Sequence, residues 1–296
     1  MLRSFASRTL RPSWRCFSNS TDDSTGCIRH ESITVPLSDD HHVKIAVINM
    51  CDHESRNALG KNSVYGFLSI LDKLQFEADS QRIRALVLRS QVKGVFCAGA
   101  NLKERRGMTR GQTESWLKVQ RRLMDNLSDF PYPTIAAIDG HALGGGLELA
   151  LACDIRIVNE NVKVGLVETS WAIIPGAGGT QRLSRLIGVG RAKEHIFVAE
   201  PLSGAEATRL GIANHLTSGE ESSFQKAVDL AKKICKRGPR ALRLAKAAID
   251  NGSQTSLDTG LDIEQAYYGQ LLDSADRVEG MRAFSEKRQP LYTSNE

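Results

Sequence analysis

Two glutamates stand in this chain where an acid has no packing reason to be. Glu148 closes Gly144-Gly145-Gly146-Leu147-Glu148 and runs into Leu149-Ala150-Leu151-Ala152-Cys153, while Glu168 ends Gly165-Leu166-Val167-Glu168. Burying a carboxylate is costly unless it is paired or neutralised. Two acids in apolar, glycine-rich settings therefore point to an acid/base pair whose pKa values are tuned by their surroundings. The bland alternative is that each caps a helix or meets an arginine. Three glycines opening an apolar helix place unpaired backbone N–H groups at its positive end, where an oxyanion is stabilised. A second donor is offered by Phe96-Cys97-Ala98-Gly99-Ala100, a small-residue turn after the strand-like Ala85-Leu86-Val87-Leu88. On this reading the N–H groups of Ala100 and Gly145 converge on one carbonyl oxygen. The competing reading is close helix–strand packing that needs glycines.

The elements that must position these groups follow from apolar periodicity. Ile33 to Val35 and Val43 to Met50 read as a hairpin around Ser38-Asp39-Asp40. Val64, Phe67, Leu68, Leu71 and Leu74 recur at helical spacing between Leu59 and Ala78, and Arg84 to Arg89 returns to a buried strand, which makes a parallel crossover. The alternation continues with a helix over 114–126, a strand over 134–138, a helix over 145–152, strands over 155–158 and 162–166, and a helix over 179–186. This is an α/β core with its donor turns and Glu148 just after strands, where ligands bind in parallel sheets. Beyond Gly188 the chain turns helical. A capping box spans Ser203 to Glu206, Gly211 is a stop, a brief strand covers 212–216, and helices are expected over 222–236, 240–250 and 257–272. The expected organisation is presequence and linker over 1–30, core over 31–220 and a helical C-terminal region over 221–296.

With 41% hydrophobic and 25% charged residues among 296, the chain can bury a sizeable core. No apolar run approaches the length of about 18 residues that a membrane span needs, so no transmembrane helix is expected. The first twenty residues carry Arg3, Arg8, Arg11 and Arg15, five serines and no acid. That is the composition of an organellar transit peptide. Arg15-Cys16-Phe17-Ser18 resembles a matrix processing site cleaved after Phe17, with chloroplast import the runner-up. Those arginines supply most of the net charge of +5, so basicity is no evidence for nucleic acid. The six cysteines show no C-x-x-C or zinc spacing and fit reduced thiols.

Three motifs in order give these residues a family likeness: Phe96-Cys97-Ala98-Gly99-Ala100, Ile135 through Glu148, and Ile174-Pro175-Gly176-Ala177-Gly178-Gly179-Thr180-Gln181-Arg182. Together they resemble the crotonase, or enoyl-CoA hydratase/isomerase, superfamily over about Val43 to Tyr292. Leu102-Lys103-Glu104-Arg105, Gly165-Leu166-Val167-Glu168-Thr169 and Phe284-Ser285-Glu286-Lys287-Arg288 are most similar to mitochondrial enoyl-CoA and methylglutaconyl-CoA hydratases. The resemblance implies repeated ββα units followed by a helical trimerisation region that also completes the acyl-CoA pocket, and homotrimers or hexamers. It implies acyl-CoA substrates in fatty-acid or leucine breakdown, in the mitochondrial matrix. It assigns Glu148 and Glu168 as the two hydratase acids, Ala100 and Gly145 as the oxyanion hole, and Arg56, Ala98, Leu102 and Lys103 as CoA contacts, Lys103 near the adenine and phosphates. Glu148 would activate water and Glu168 would protonate the α-carbon, which requires a raised pKa in one of the pair. No metal or further cofactor is implied, coenzyme A being part of the substrate.

Asn101 stands where relatives usually have Asp, which leaves the turn intact and puts any charge-dependent contact there in question. The 50–59 segment keeps Asn57-Ala58-Leu59 but lacks the usual Arg-Pro. Glu104, Arg105, Arg106 and Arg110 form a charged run that is either a solvated face or a source of one arginine for a CoA phosphate or a second substrate carboxylate. Trp171 is read as packing, with shaping of the acyl pocket as the functional alternative, and His141 as structural. A Δ3,Δ2-enoyl-CoA isomerase needs one carboxylate, so the pair of acids argues against it. An RNA-binding role, as in methylglutaconyl-CoA hydratase relatives, is disfavoured because the 61–84 stretch holds only Lys61, Lys73, Arg82 and Arg84 among acids. A catalytically silent subunit is the third reading.

Overall fold

The computed structural model describes residues 27–79 and 82–293. The expected transit segment and its Phe17 processing site lie outside them. The chain opens with a hairpin, β1 (Ile28–Pro36) antiparallel to β2 (His42–Met50), in register from Ile28↔Met50 to Pro36↔His42. β1 starts well before the expected Ile33. As an edge strand it is paired on one side only, so polar residues such as Arg29, His30 and Glu31 are tolerated and mask it from an apolar pattern. α1 (Lys61–Asp79) follows, with Val64, Phe67, Leu68, Leu71 and Leu74 all buried on one face as their spacing requires.

The chain then makes three strand–strand–helix passes. The first is β3 (Ile83–Ser90), β4 (Val95–Cys97), a short α2 (Leu102–Arg106) and α3 (Arg110–Ser128). The second is β5 (Thr134–Ile138), β6 (His141–Leu143) and α4 (Gly145–Leu151). The third is β7 (Ile155–Asn159), β8 (Lys163–Gly165), a 3-10 turn (Glu168–Trp171) and α5 (Gly179–Ile187). α6 (Val189–Val198), β9 (Leu202–Ser203), α7 (Gly204–Arg209) and β10 (His215–Thr217) complete the two sheets. The longer first strands of the passes form a six-stranded sheet, β1-β2-β3-β5-β7-β10, parallel from β2 onward. The short second strands form another, β4-β6-β8-β9, with β4, β6 and β8 parallel and β9 antiparallel. The capping box predicted at Ser203 and Glu206 is present at the start of α7, and Gly211 follows that helix at φ +84.

Four helices end the described chain: α8 (Ser223–Cys235), α9 (Pro239–Gly252), α10 (Leu257–Gly269) and α11 (Ala275–Ser285). α8 lies across β2, β3, β5 and β7 and buries Ala227, Val228, Ala231 and Cys235 against Val47, Val87 and Ile135. The opposite face of the same sheet meets the larger core of α1, α3 and α4. Buried Arg84 ties the C-terminal segment to the sheet by donating to the carbonyls of Cys235 at 3.0 Å and Tyr292 at 2.8 Å. By contrast α10 buries no residue and α11 only Ala283. No helix among the described residues is long and apolar enough to cross a membrane.

Candidate active site

The three segments singled out by sequence leave the C-terminal ends of three adjacent parallel strands. β4 runs into Ala98–Ala100, β6 into Gly144–Glu148, and β8 into Leu166–Glu168. The donor turns were expected to follow Ala85–Leu88 and the 134–138 strand. Instead each follows a three-residue strand, too short to leave a period in the sequence, that comes after the long one and pairs in the other sheet. The two turns approach closely: the position of a Cβ on Gly145 would lie 3.5 Å from the Ala100 nitrogen. Among the described residues neither the Ala100 nor the Gly145 N–H engages a backbone acceptor outside the regular elements. Gly145 is the first residue of α4, where an N–H has no partner within its own helix.

Glu148, 4% exposed, rises from α4, and its Oε1 accepts hydrogen bonds from the N–H groups of Ala177 and Gly179, both at 2.8 Å. The acid thus does meet the N-terminus of α5. Only one oxygen is used in doing so. The Pro175–Gly179 turn that supplies the donors is held by Arg182, which donates to the Ala177 carbonyl at 3.2 Å and pairs with Asp125 at 3.1 Å. Gly179 leaves room for this approach: a Cβ there would sit 2.9 Å from Cβ of Pro175 and 3.0 Å from both Cγ and Oε1 of Glu148. Burial raises the Glu148 pKa, and the two backbone N–H groups, Arg105 and Arg182 oppose that rise by favouring the carboxylate.

Glu168 begins the 3-10 turn, and its Oε2 is buried without a hydrogen-bond partner. Its carboxyl can come this close only because Gly144, at φ +53, has no Cβ; one placed there would be 3.0 Å from Oε1. Burial first, and then the charge of Glu148, push Glu168 up to about 7. The expected raised pKa is therefore found, and it is most pronounced on the acid assigned to donate.

Both acids, Ala98, Ala100, Leu102 and Gly145 line one pocket, which encloses about 560 Å³ including open solvent at its mouth. Arg56 and Lys103 do not line it. Their side chains are exposed, and Arg56 serves the site through its carbonyl, which accepts the Ala98 N–H at 3.1 Å. Trp171 is not packing: it is 66% exposed and stands on the pocket wall with Ile173 and Ile174. His141 is structural, its Nδ1 accepting the Lys163 N–H at 2.9 Å. Within the charged run, Glu104 accepts the Lys61 N–H at 3.0 Å, whereas Arg105 turns inward and lines the pocket. Asn101 donates to Glu104 Oε1 at 2.8 Å, a bond an aspartate could not make. Gln120, which sequence reading passed over, is buried and lines the same pocket. Its only signal was a polar residue on the apolar stripe of α3. Of the four basic residues in the 61–84 stretch, Arg84 is 1% exposed and unavailable to a polyanion.

A family model described as enoyl-CoA hydratase/isomerase matches residues 40–295. The mitochondrial methylglutaconyl-CoA hydratase of Homo sapiens is 45% identical over 251 residues, covering 84% of this chain and 73% of that protein. The mitochondrial enoyl-CoA hydratase domain-containing protein 2 of Mus musculus is 45% identical over 284 residues, covering 95% of each. Among solved structures, the enoyl-CoA hydratase from Bacillus anthracis superposes with a TM-score of 0.81 at 43% identity, covering 85% of this chain and 96% of that one.

Proposed function

The chain belongs to the enoyl-CoA hydratase/isomerase family and is a hydro-lyase of the hydratase type, and from that premise we propose that it adds water to the double bond of a trans-2-enoyl-CoA, short-chain or methylglutaconyl, using Glu148 and Glu168 as its acid/base pair. The observation that carries this reading is the difference between the two acids across one pocket. Glu148 accepts two N–H bonds that favour its ionised form, while Glu168 has a buried, unpartnered oxygen and a pKa near 7.

The thioester oxygen would sit between the N–H groups of Ala100 and Gly145, which stabilise the negative charge that develops as the β-carbon is attacked. Ionised Glu148 takes a proton from the attacking water as its oxygen bonds to the β-carbon. Protonated Glu168 gives its proton to the α-carbon. One proton is lost and one gained across the pair, so its total charge is restored, and release of the 3-hydroxyacyl product is followed by return of the proton to Glu168. The scheme draws on no group beyond these side chains, two backbone N–H groups and the substrate's own coenzyme A. Arg56 and Lys103, exposed outside the pocket, are suited to the coenzyme's phosphates.

The assembly we propose is a homotrimer or a hexamer built from trimers. Supporting it, α9 to α11 carry exposed Ile249, Leu257, Leu261, Val278, Met281 and Phe284 with little buried area of their own. A mitochondrial matrix location, through a transit peptide in the first thirty residues, is supported by the mitochondrial relatives and by the arginine-rich, acid-free start of the chain. Loss of enoyl-thioester absorbance with crotonyl-CoA and 3-methylglutaconyl-CoA tests the reaction. Turnover that disappears in both Glu148→Gln and Glu168→Gln supports the two-acid hydratase. Full activity in both variants overturns it.

A further inference from the structure

The segment that carries Glu168 is tied to the last turn of α6 on both sides of the acid. Leu166, two residues before it, donates its N–H to Nε2 of His195 at 3.3 Å, and Thr169, directly after it, donates its hydroxyl to the Ile196 carbonyl at 2.6 Å. His195 and Ile196 are consecutive and both buried. The Ile196 carbonyl is free for this bond because the last carbonyls of a helix have no partner within it. An imidazole accepts at Nε2 only when it is neutral, with its proton on Nδ1. Burial lowers the His195 pKa and so holds the ring in that form. The ring also lies against the end of β8: a Cβ on Gly165 would meet its Cε1 at 3.6 Å and Cα of Pro201 at 3.0 Å. Leu166 is itself buried, so its N–H would be costly to leave without an acceptor.

We infer that His195 is a positioning residue for the reaction, setting where the Glu168 carboxyl stands in the pocket by accepting the Leu166 N–H. The inference rests on the hydratase reading above and deepens it by naming what aims the proton donor. His195 does not line the pocket, so it acts only through the backbone it holds. Oε2 of Glu168 is buried without a hydrogen-bond partner, so no bond of its own fixes that oxygen, and its place follows from the backbone on either side. The charges that bear on Glu168 come from Glu148 on α4 and Arg105 on α2, whereas α6 contributes a neutral ring. A histidine that served the fold alone would affect stability when lost and leave the titration of Glu168 where it was.

The test compares His195→Leu, which removes the acceptor, with His195→Gln, which keeps one. For the full chain, kcat and KM are measured with crotonyl-CoA, and the Glu168 carboxyl is titrated by its carbon-13 resonance, assigned by its absence in Glu168→Gln. His195→Leu should lower kcat by about 10- to 100-fold, the scale of a misplaced reacting group, and leave KM within about twofold. Glu168, raised to about 7 chiefly by burial, should fall towards the ordinary glutamate range as its segment slackens, and the alkaline limb of kcat should move to lower pH with it. His195→Gln should keep both near the parent. An unchanged kcat in His195→Leu, or a lowered one with Glu168 titrating as in the parent, overturns the inference. The parent alone also decides it: at about pH 7 the nitrogen-15 resonances of His195 should show a neutral ring protonated on Nδ1, and an Nε2–H tautomer or an imidazolium overturns the inference even if His195→Leu does not fold. Hydration of crotonyl-CoA with Glu168 unmoved by His195→Leu sinks the inference alone. A parent that hydrates neither crotonyl-CoA nor 3-methylglutaconyl-CoA, while His195→Leu still lowers the Glu168 pKa, sinks the hydratase reading alone.

Discussion

The six-stranded and four-stranded sheets are threaded by the same three passes of the chain, yet they are built to different standards. In the large sheet β3 runs Ile83–Ser90 with six consecutive buried residues, and α8 and α1 cover its two faces. Its residues make a core and no chemistry. In the small sheet β4, β6 and β8 have three residues each, and the two acids and both candidate oxyanion donors lie just beyond their C-terminal ends. Such strands cannot hold themselves, since a strand of this length makes few ladder bonds. They are kept in place by being the second limb of strands already fixed in the large sheet. Rigidity is thus supplied by one sheet and the backbone N–H groups and acids are presented by the other, as a site on a stiff support requires.

The sharpest way to break this contrast is to change an acid of the small sheet. Glu148→Gln and Glu168→Gln should each lower kcat by about 100- to 10,000-fold. Neither should lose stability. Because the folded pKa of Glu168 is raised to about 7, its ionisation destabilises the fold above its unfolded pKa, and the penalty is complete above pH 7. Glu168→Gln should therefore melt higher than the parent at pH 8, and the gap should close as the pH falls below the ordinary glutamate range. A melting point that drops at pH 8 would show Glu168 to be structural.

Gly146→Ala comes next. A Cβ there would overlap the Cys97 carbonyl at the end of β4, so the start of α4 must shift away from the Ala100 turn. Rates should fall about 100-fold, in line with loss of one oxyanion donor. A change confined to KM would argue that the donors are not where the geometry puts them. The pH profile is a milder probe. Activity that needs protonated Glu168 should decline as pH rises through about 7, close to tenfold per unit beyond it, and Glu168→Asp should displace that limb.

In the large sheet the expectation is reversed. Ile135→Ala, between the sheet and α8, should cost about 2–5 kcal/mol in denaturant unfolding and leave kcat within a few-fold. A large kcat loss in a still-folded variant would mean that the sheets are not separable in this way. The smallest effect is expected at the junction of the site with α1. Asn101→Asp replaces a bond to Glu104 with two facing carboxylates and should cost about 1 kcal/mol, less in high salt and at acid pH where the repulsion fades.

The large sheet was almost entirely legible. The strand at Thr134–Ile138, the strand at His42–Met50 and the helix after Gly60 follow from runs of apolar residues whose period matches their burial. The edge strand β1 was cut short because an edge tolerates polar residues. β4 and β6 were not read at all, since three residues set no period and their pairing is with partners distant in sequence. At the site, the acids and the glycine turns were legible because carboxylates in apolar sequence are unusual. Arg105 was legible only as one of several charges in a row: nothing local distinguishes it from Arg106, which is exposed. Trp171 was misjudged because a large aromatic is more often buried than displayed on a pocket wall.

The amino-acid sequence by itself determined the chemical inventory and its order along the chain: two acids in apolar settings, glycines where a carboxyl must approach the backbone, and alternating strands and helices. Those are local properties, written in neighbouring residues. The tertiary structure decided what meets what. It laid three short strands side by side so that turns far apart in sequence open onto one pocket, set Glu148 on N–H groups of the turn that opens α5, left one oxygen of Glu168 buried beside it without a partner, and turned Arg105 inward on Gln120. Each of these depends on long-range burial and on charges brought together in a low-dielectric space, and neither exists until the two sheets have packed.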